Sequence, residues 1–108
     1  MGLIAKRITH HEQFAAVVKE MVVGPLGLHD TRFLLNSEDL KRFCSGNTPE
    51  FEPLSYFDIG DTYNPAGGAK ITTEDLARFI RLMLHPESVA PELSAPLKTT
   101  QQIYSETG

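Results

Sequence analysis

The most informative stretch of this chain reads PLGLHDTRF over residues 25–33, and a second, AGGAKITTEDLARF, follows at residues 66–79. Pro25 lacks an amide hydrogen and disfavours helical geometry in the residue before it, so a helix must end here. Gly27 can adopt positive φ at little cost, and Asp30 can bond amides two residues further on. The first stretch therefore predicts a helix stop followed by a tight turn.

Apolar residues at helical spacing predict a long helix on each side of this turn. The helix before it covers about residues 11–23, and its stripe at i, i+3, i+4, i+7 and i+8 consists of Phe14, Val17, Val18, Met21 and Val22. The helix after it runs from Thr73 to about His85, capped by Thr72 with Asp75 in a capping-box-like position and closed by Pro86. Its stripe has the same spacing and consists of Leu76, Phe79, Ile80, Met83 and Leu84.

Two shorter helices complete the predicted helical part. Leu3, Ile4 and Ile8 indicate the end of a helix that reaches a corner at residues 9–11. Asn36 and Ser37 offer a cap before residues 38–44, where acids precede bases as the helix dipole prefers. The expected fold class is therefore mostly α, with three to four helices.

Residues 46–70 predict a long irregular loop, because they lack helical periodicity and contain seven glycines and prolines. Four of the nine aromatic residues lie here, together with Glu50, Glu52, Asp58 and Asp61, and no base occurs before Lys70. Loops of this length in compact domains tend to be functional or tied down. We expect most of the aromatic side chains to hold the loop against the helices, with one or two lining a cleft.

The end of the chain carries the weakest pattern. Pro91 and Pro96 interrupt it, and residues 94–108 show no period. We expect at most one helical turn at 91–93, a helical subdomain over residues 1–93 and an irregular tail over 94–108.

Composition excludes several function classes. The 108 residues carry a formal charge of −4, with 41% hydrophobic and 22% charged residues, so a folded chain without a nucleic-acid-binding basic face is expected. No apolar run is long enough to span a membrane. The single cysteine, Cys44, excludes an internal disulfide and is expected to be a small buried apolar residue. The pair His10–His11 and the acids Asp58 and Asp61 lack metal-site spacing, so neither a metal nor another cofactor is expected.

The two stretches together resemble the segment between the catalytic motifs of serine β-lactamase-like enzymes, which include class C β-lactamases, D-alanyl-D-alanine peptidases and related esterases. PLGLHDTRF is similar to the family's Pro-Leu-Gly-Met-x-Asp-Thr-x-Phe, and residues 67–79 are similar to Gly-Gly-x-x-Ser-Thr-x-Glu-Asp-Leu-Ala-Arg-Phe. The likeness covers about residues 2–93. It implies the helical part of a β-lactamase-like α+β fold.

The motifs that perform the family's chemistry are absent from this sequence. No serine is followed three residues later by the lysine that would activate it, and no tyrosine stands two residues before an asparagine. Only Lys98-Thr99-Thr100 partly matches the family's third motif, which is Lys-Thr-Gly or His-x-Gly. We therefore expect an internal fragment of a longer hydrolase, the parent enzyme, that contains no catalytic residue and is inactive alone.

The resemblance also implies a role for the loop. It would form one wall of the parent enzyme's active-site cleft, and the candidate wall residues are Tyr63, Asn64, Gly67 and Gly68. The expected partners are the rest of the catalytic domain and a small-molecule or peptide substrate. The isolated fragment is expected to self-associate or to be loosely packed. The sequence leaves the compartment open, and the resemblance suggests a parent enzyme of the cell envelope or secreted. The alternative is a complete small helical module that binds another protein.

Overall fold

The computed structural model describes residues 1–103, and about half of them lie in helices. The α-helices are α1 Gly2–Thr9, α2 Phe14–Val18, α3 Ser37–Arg42, α4 Asn64–Gly67, α5 Thr73–Leu84 and α6 Pro91–Thr100. A π-helical turn, Lys19–Val23, extends α2, and a 3-10 turn, Pro86–Ser88, separates α5 from α6. Over residues 1–103 there is no regular strand, and extended backbone pairs only at two isolated bridges. The predicted mostly α class is confirmed, with six α-helices where three to four were expected.

The corner between α1 and α2 lies where the sequence predicts it. His10 ends α1 with φ 59°, a left-handed conformation in which its amide donates to the carbonyl of Lys6. Glycine is the residue that adopts this geometry most readily, so a histidine here is unusual. The next helix begins at Phe14, three residues later than predicted, because Gln13 is still extended.

The turn after Pro25 reverses the chain within a few residues. Gly27 has φ 67°, and the amides of Leu26 and Leu28 donate to carbonyls of the preceding π-helical turn at 3.0 and 2.9 Å. Phe33 is buried and meets Phe14 of α2 edge to face, with ring centroids 5.5 Å apart. The predicted helix stop and tight turn are therefore confirmed, and they direct apolar side chains inward.

The main core joins this turn to the last two long helices. Its buried centre is Leu26, Leu28 and Leu97, surrounded by partly buried Val23, Phe79, Leu82, Met83, Val89 and Leu93. Leu93 and Leu97 stand on α6, and the Gln101 side chain bonds the carbonyl of Met83 on α5 at 2.7 Å. Residues from the chain's end are thus part of the core.

The prediction of an irregular tail over residues 94–108 is wrong for residues 94–100, which are helical. Pro91 occupies the first turn of α6, where its missing amide hydrogen costs nothing, but Pro96 lies in the helix interior. Burial of Leu97 offsets that cost, since a buried leucine contributes about 1.5 to 3 kcal/mol. Residues 104–108 of the predicted tail lie outside the described residues.

The long loop is less firmly packed than expected. Tyr56 meets Phe43 edge to face at 5.5 Å, whereas Phe51, Phe57 and Tyr63 are exposed. The expectation that most aromatic side chains hold the loop down is therefore wrong.

Within the described part of the chain, no helix has the length and apolar character needed to cross a bilayer.

Candidate functional site

The two informative stretches meet through one buried carboxylate. Asp75, on the first turn of α5, is only 6% exposed, and its Oδ2 accepts hydrogen bonds from the amide of Asp30 and the hydroxyl of Thr31, both at 2.8 Å. Thr72 caps the same helix by accepting from the amide of Asp75 at 3.2 Å. The capping threonine is as predicted, but the Asp75 carboxylate binds the turn rather than completing a capping box.

A short bridge continues this junction. Arg32 and Lys70 exchange backbone hydrogen bonds of 2.9 and 2.7 Å, and the Lys70 ammonium donates to the carbonyl of Phe33 at 2.8 Å. Residues 30–33 and 70–75 are thereby held side by side, and we call this set of contacts the Asp75 clamp. Within the clamp, the Asp75 carboxylate and the Lys70 ammonium each form hydrogen bonds with residues of the turn.

An ion-pair network lies against the clamp. Arg32 binds both oxygens of Asp39 at 2.7 and 2.6 Å, and Arg42 reaches Asp30 at 3.0 Å. Asn36 and Asp39 form a full capping box at the start of α3. The network therefore fixes α3 on the turn.

The carboxyl groups of the network have lowered pKa values. The hydrogen bond from Arg42 is the main cause for Asp30, whose pKa lies below its usual 3.8. Burial acts to raise the pKa of Asp39, but the Asn36 amide and the two arginines together lower it below 3.8. Both carboxyl groups therefore favour the charged form, which makes the ion pairs with Arg32 and Arg42.

A cavity of about 370 Å³ opens beside this network. It is lined by Asp30, Arg32, Leu35, Asp39, Arg42, Phe43, Cys44, Lys70, Ile71, Thr72 and Thr73. Arg32, Arg42 and Lys70 each already donate to a protein acceptor. Cys44 is exposed at its rim, and the expectation of a buried cysteine is wrong.

The four candidate wall residues lie together in and beside α4, and none of them lines that cavity. Tyr63 is 67% exposed, whereas Asn64 is 4% exposed and its Oδ1 has no hydrogen-bond partner. A Cβ added to Gly68 would stand 2.1 Å from that oxygen, so glycine is needed for this close approach. A Cβ added to Gly67 would meet no atom within 4 Å. Tyr63 and Gly67 thus border open space, and Asn64 and Gly68 form the interior of the turn.

The segment that carries these residues is attached to α1 and α2. Asp61 bonds Lys6 of α1 and the Phe14 amide of α2, and the ring of Pro65 fills the space beside Gly2. Sequence reasoning missed Asp61, because its partners lie 55 and 47 residues away and no local pattern reveals them.

Among residues 1–103, no three or more His, Cys, Asp or Glu side chains are grouped as metal ligands would be.

Comparison with known proteins places this architecture in a family. The family model described as Beta-lactamase matches residues 1–106. A human protein described as beta-lactamase-like 1 is 34% identical, over 84% of this chain and 20% of its own length.

Solved structures show the same fold. A beta-lactamase/D-alanine carboxypeptidase from Pseudomonas syringae superposes with a TM-score of 0.77 at 23% identity, covering 89% of this chain and 26% of that one. A class C beta lactamase from Rhodobacter sphaeroides gives 0.78 at 21% identity, covering 93% and 29%. The chain thus spans about a fifth to three tenths of these proteins. It belongs to the beta-lactamase family.

Proposed function

We propose that this chain is a helical segment of a serine acyl-transferring hydrolase, in which it supports one wall of the substrate cleft and contributes no catalytic residue. The parent reaction would be acyl transfer through a serine ester, on a β-lactam, a D-alanyl peptide or a simple ester. The observation that carries the proposal is the Asp75 clamp. It joins the two stretches that resemble the family's, and its groups bond one another instead of activating a nucleophile.

The absence of catalytic motifs supports the same proposal. Acylation needs a serine hydroxyl with a base at hydrogen-bond distance, and no Ser-x-x-Lys, Tyr-x-Asn or Lys-Thr-Gly sequence occurs in the 108 residues. The motif residues would have to come from other parts of the parent enzyme. This chain would then act by holding the wall in place.

The proposed wall consists of Tyr63, Asn64, Gly67 and Gly68. Tyr63 offers an exposed aromatic face, and the space beside Gly67 is open. The resemblance to class C enzymes implies that an aromatic residue often stands at the position of Gly67, where it packs against the substrate. The lack of an aromatic side chain at Gly67 favours a peptidase, an esterase or an uncharacterised hydrolase over a specialised β-lactamase as the parent enzyme.

Turnover assays test this proposal directly. The purified chain is incubated with a chromogenic cephalosporin and with an activated nitrophenyl ester, and a complete class C β-lactamase serves as the positive control. We expect no hydrolysis above the rate in buffer. Saturable turnover that survives repurification would show that the chain has its own catalytic site.

A second candidate, a stand-alone protein-binding module, is favoured by one observation. Leu76, Ile80 and Leu84 form an exposed apolar stripe along α5. Large uncovered apolar surfaces mark sites of association. In the first proposal the rest of the parent enzyme covers this stripe, and the isolated chain should self-associate. Sedimentation velocity tests this: a strictly monomeric chain that binds a partner outside the parent enzyme would favour the module.

A further inference from the structure

The helix α2 begins without a cap from its own neighbours. The side chain of Gln13, which precedes it, makes no capping hydrogen bond. Instead the Oδ1 of Asp61, 47 residues further along, accepts from the Phe14 amide at 2.7 Å. The first amides of a helix have no intrahelical partner, so an acceptor there stabilises the helix start. Asp61 therefore acts as a cap supplied from the long loop.

The second oxygen of the same carboxylate binds another helix. Asp61 Oδ2 lies 2.5 Å from the ammonium of Lys6 on α1, and the two side chains are 34% and 22% exposed. Charge-assisted hydrogen bonds are stronger than neutral ones, and partial burial protects this pair from screening. One side chain thus joins the loop, α1 and α2.

This anchor stands directly before the proposed cleft wall. Tyr63 and Asn64 donate their amides to the carbonyl of Gly60 at 3.1 and 3.0 Å, so the turn into α4 starts next to Asp61. Within that turn, Pro65 packs on Gly2 at the start of α1. The wall segment therefore contacts α1 through Pro65 and is joined to it through Asp61 just before the segment.

We propose that Asp61 is a positioning residue, which sets the place of the wall segment 63–68 relative to α1 and α2. This inference rests on the proposed function of that segment. The charged group that faces Asp61 is Lys6 on α1, the contact from α2 is the uncharged Phe14 amide, and the nearby Asp58 is engaged with the Gly60 amide. Removal of the Asp61 side chain should break the contacts with both helices at once, whereas loss of its charge alone should weaken the contact with Lys6 of α1.

Amide hydrogen exchange on the whole chain tests the anchor. In Asp61→Ala we expect exchange at the amides of Phe14, Asn64 and Gly68 to rise about tenfold. Amides of the Asp75 clamp, at Arg32 and Lys70, should not change. Lys41→Met is the matched control, because its ion pair with Glu38 is exposed and joins no distant elements.

Two milder variants separate anchoring from general destabilisation. Asp61→Asn keeps an acceptor for the Phe14 amide but loses the charge, so Phe14 should stay protected while Asn64 and Gly68 exchange faster. Lys6→Arg keeps the ion pair and should restore the protection that Lys6→Met removes. These variants keep the test decisive even where Asp61→Ala does not fold.

The pH profile gives an independent readout. The hydrogen bonds from Lys6 and the Phe14 amide lower the pKa of Asp61 below 3.8. Protection of the wall segment, corrected for intrinsic exchange rates, should therefore persist above that value and fall as the pH drops through the folded pKa. In Asp61→Asn this acid step should be absent.

The inference is overturned if exchange at Asn64 and Gly68 stays within about twofold of the wild type in Asp61→Ala and Asp61→Asn, or if all protected amides accelerate equally. The measurement needs no substrate, so such a result removes the anchor alone. Failure of the proposed function would appear separately, as turnover by the chain.

Discussion

Asp75 is the side chain on which the joining of the two stretches depends most. Its carboxylate is buried, and it accepts two hydrogen bonds from a turn about 45 residues away. A buried acceptor of this kind stabilises mainly because its loss leaves both donors unpaired. Asp75 therefore belongs to a stretch that resembles the family and also stabilises the contact between the two stretches.

The variant Asp75→Ala should lower the free energy of unfolding by about 3 kcal/mol, since the Asp30 amide and the Thr31 hydroxyl lose a charged acceptor. Urea denaturation followed by circular dichroism measures this. The neighbouring exposed residue provides the control, and Glu74→Ala should change the free energy by less than about 0.5 kcal/mol. If both variants lower the free energy of unfolding equally, the hydrogen bonds of Asp75 do not account for the loss of stability.

At this scale the sequence predicts roles that depend on near neighbours. The position of Thr72 in the sequence predicts a helix cap, and its hydroxyl does accept from the amide of Asp75. The contacts of Asp75 with the turn and of Asp61 with α1 and α2 could not be predicted, because they join residues 44 to 55 positions apart. Cysteine is usually buried, and this predicts a buried Cys44. Its exposed place beside the cavity depends on how α3 packs on the turn, which no local pattern reveals.

At the scale of elements, local signals suffice where an apolar stripe ends in a cap or a proline. The helix α5 runs over Thr73–Leu84, close to its predicted bounds. The helix α6 was missed because Pro91 and Pro96 indicate a break, although Leu93 and Leu97 stand at the i, i+4 spacing of a helix face. Tertiary burial of that face outweighs the proline.

A pair of leucine variants tests whether α6 belongs to the core. Leu97→Ala should lower the free energy of unfolding by about 2 to 4 kcal/mol, because Leu97 is buried against Leu26 and Leu28. Leu3→Ala removes the same atoms from a side chain on α1 that is 60% exposed and should cost less than about 0.5 kcal/mol. If the chain tolerates Leu97→Ala equally well, α6 is not docked in solution.

At the scale of the whole molecule, three carboxylates with lowered pKa values join separate elements, in addition to Asp75. Asp30 and Asp39 link the turn to α3, and Asp61 links the loop to α1 and α2. Hydrogen bonds to their charged forms lower the pKa of each of the three below 3.8. The folded state therefore depends on their ionisation.

The pH dependence of stability follows from these shifts. A carboxyl group with a lower pKa in the folded state stabilises it above the unfolded pKa of about 3.9, and that contribution disappears as the pH falls through the folded value. The urea midpoint should therefore fall most steeply below about pH 4. In Asp61→Asn this fall should be shallower, and a midpoint that does not change on acidification would contradict the assigned ion pairs.

The most direct test of the central claim is the intact mass of the chain after incubation with a labelled penicillin. The claim is that residues 1–108 provide scaffold and cleft wall but no nucleophile. A complete class C β-lactamase, sampled during turnover, shows the mass of the acyl-enzyme. We predict that this chain keeps its unmodified mass, whereas a stoichiometric adduct mapped to one of its serines would contradict the claim.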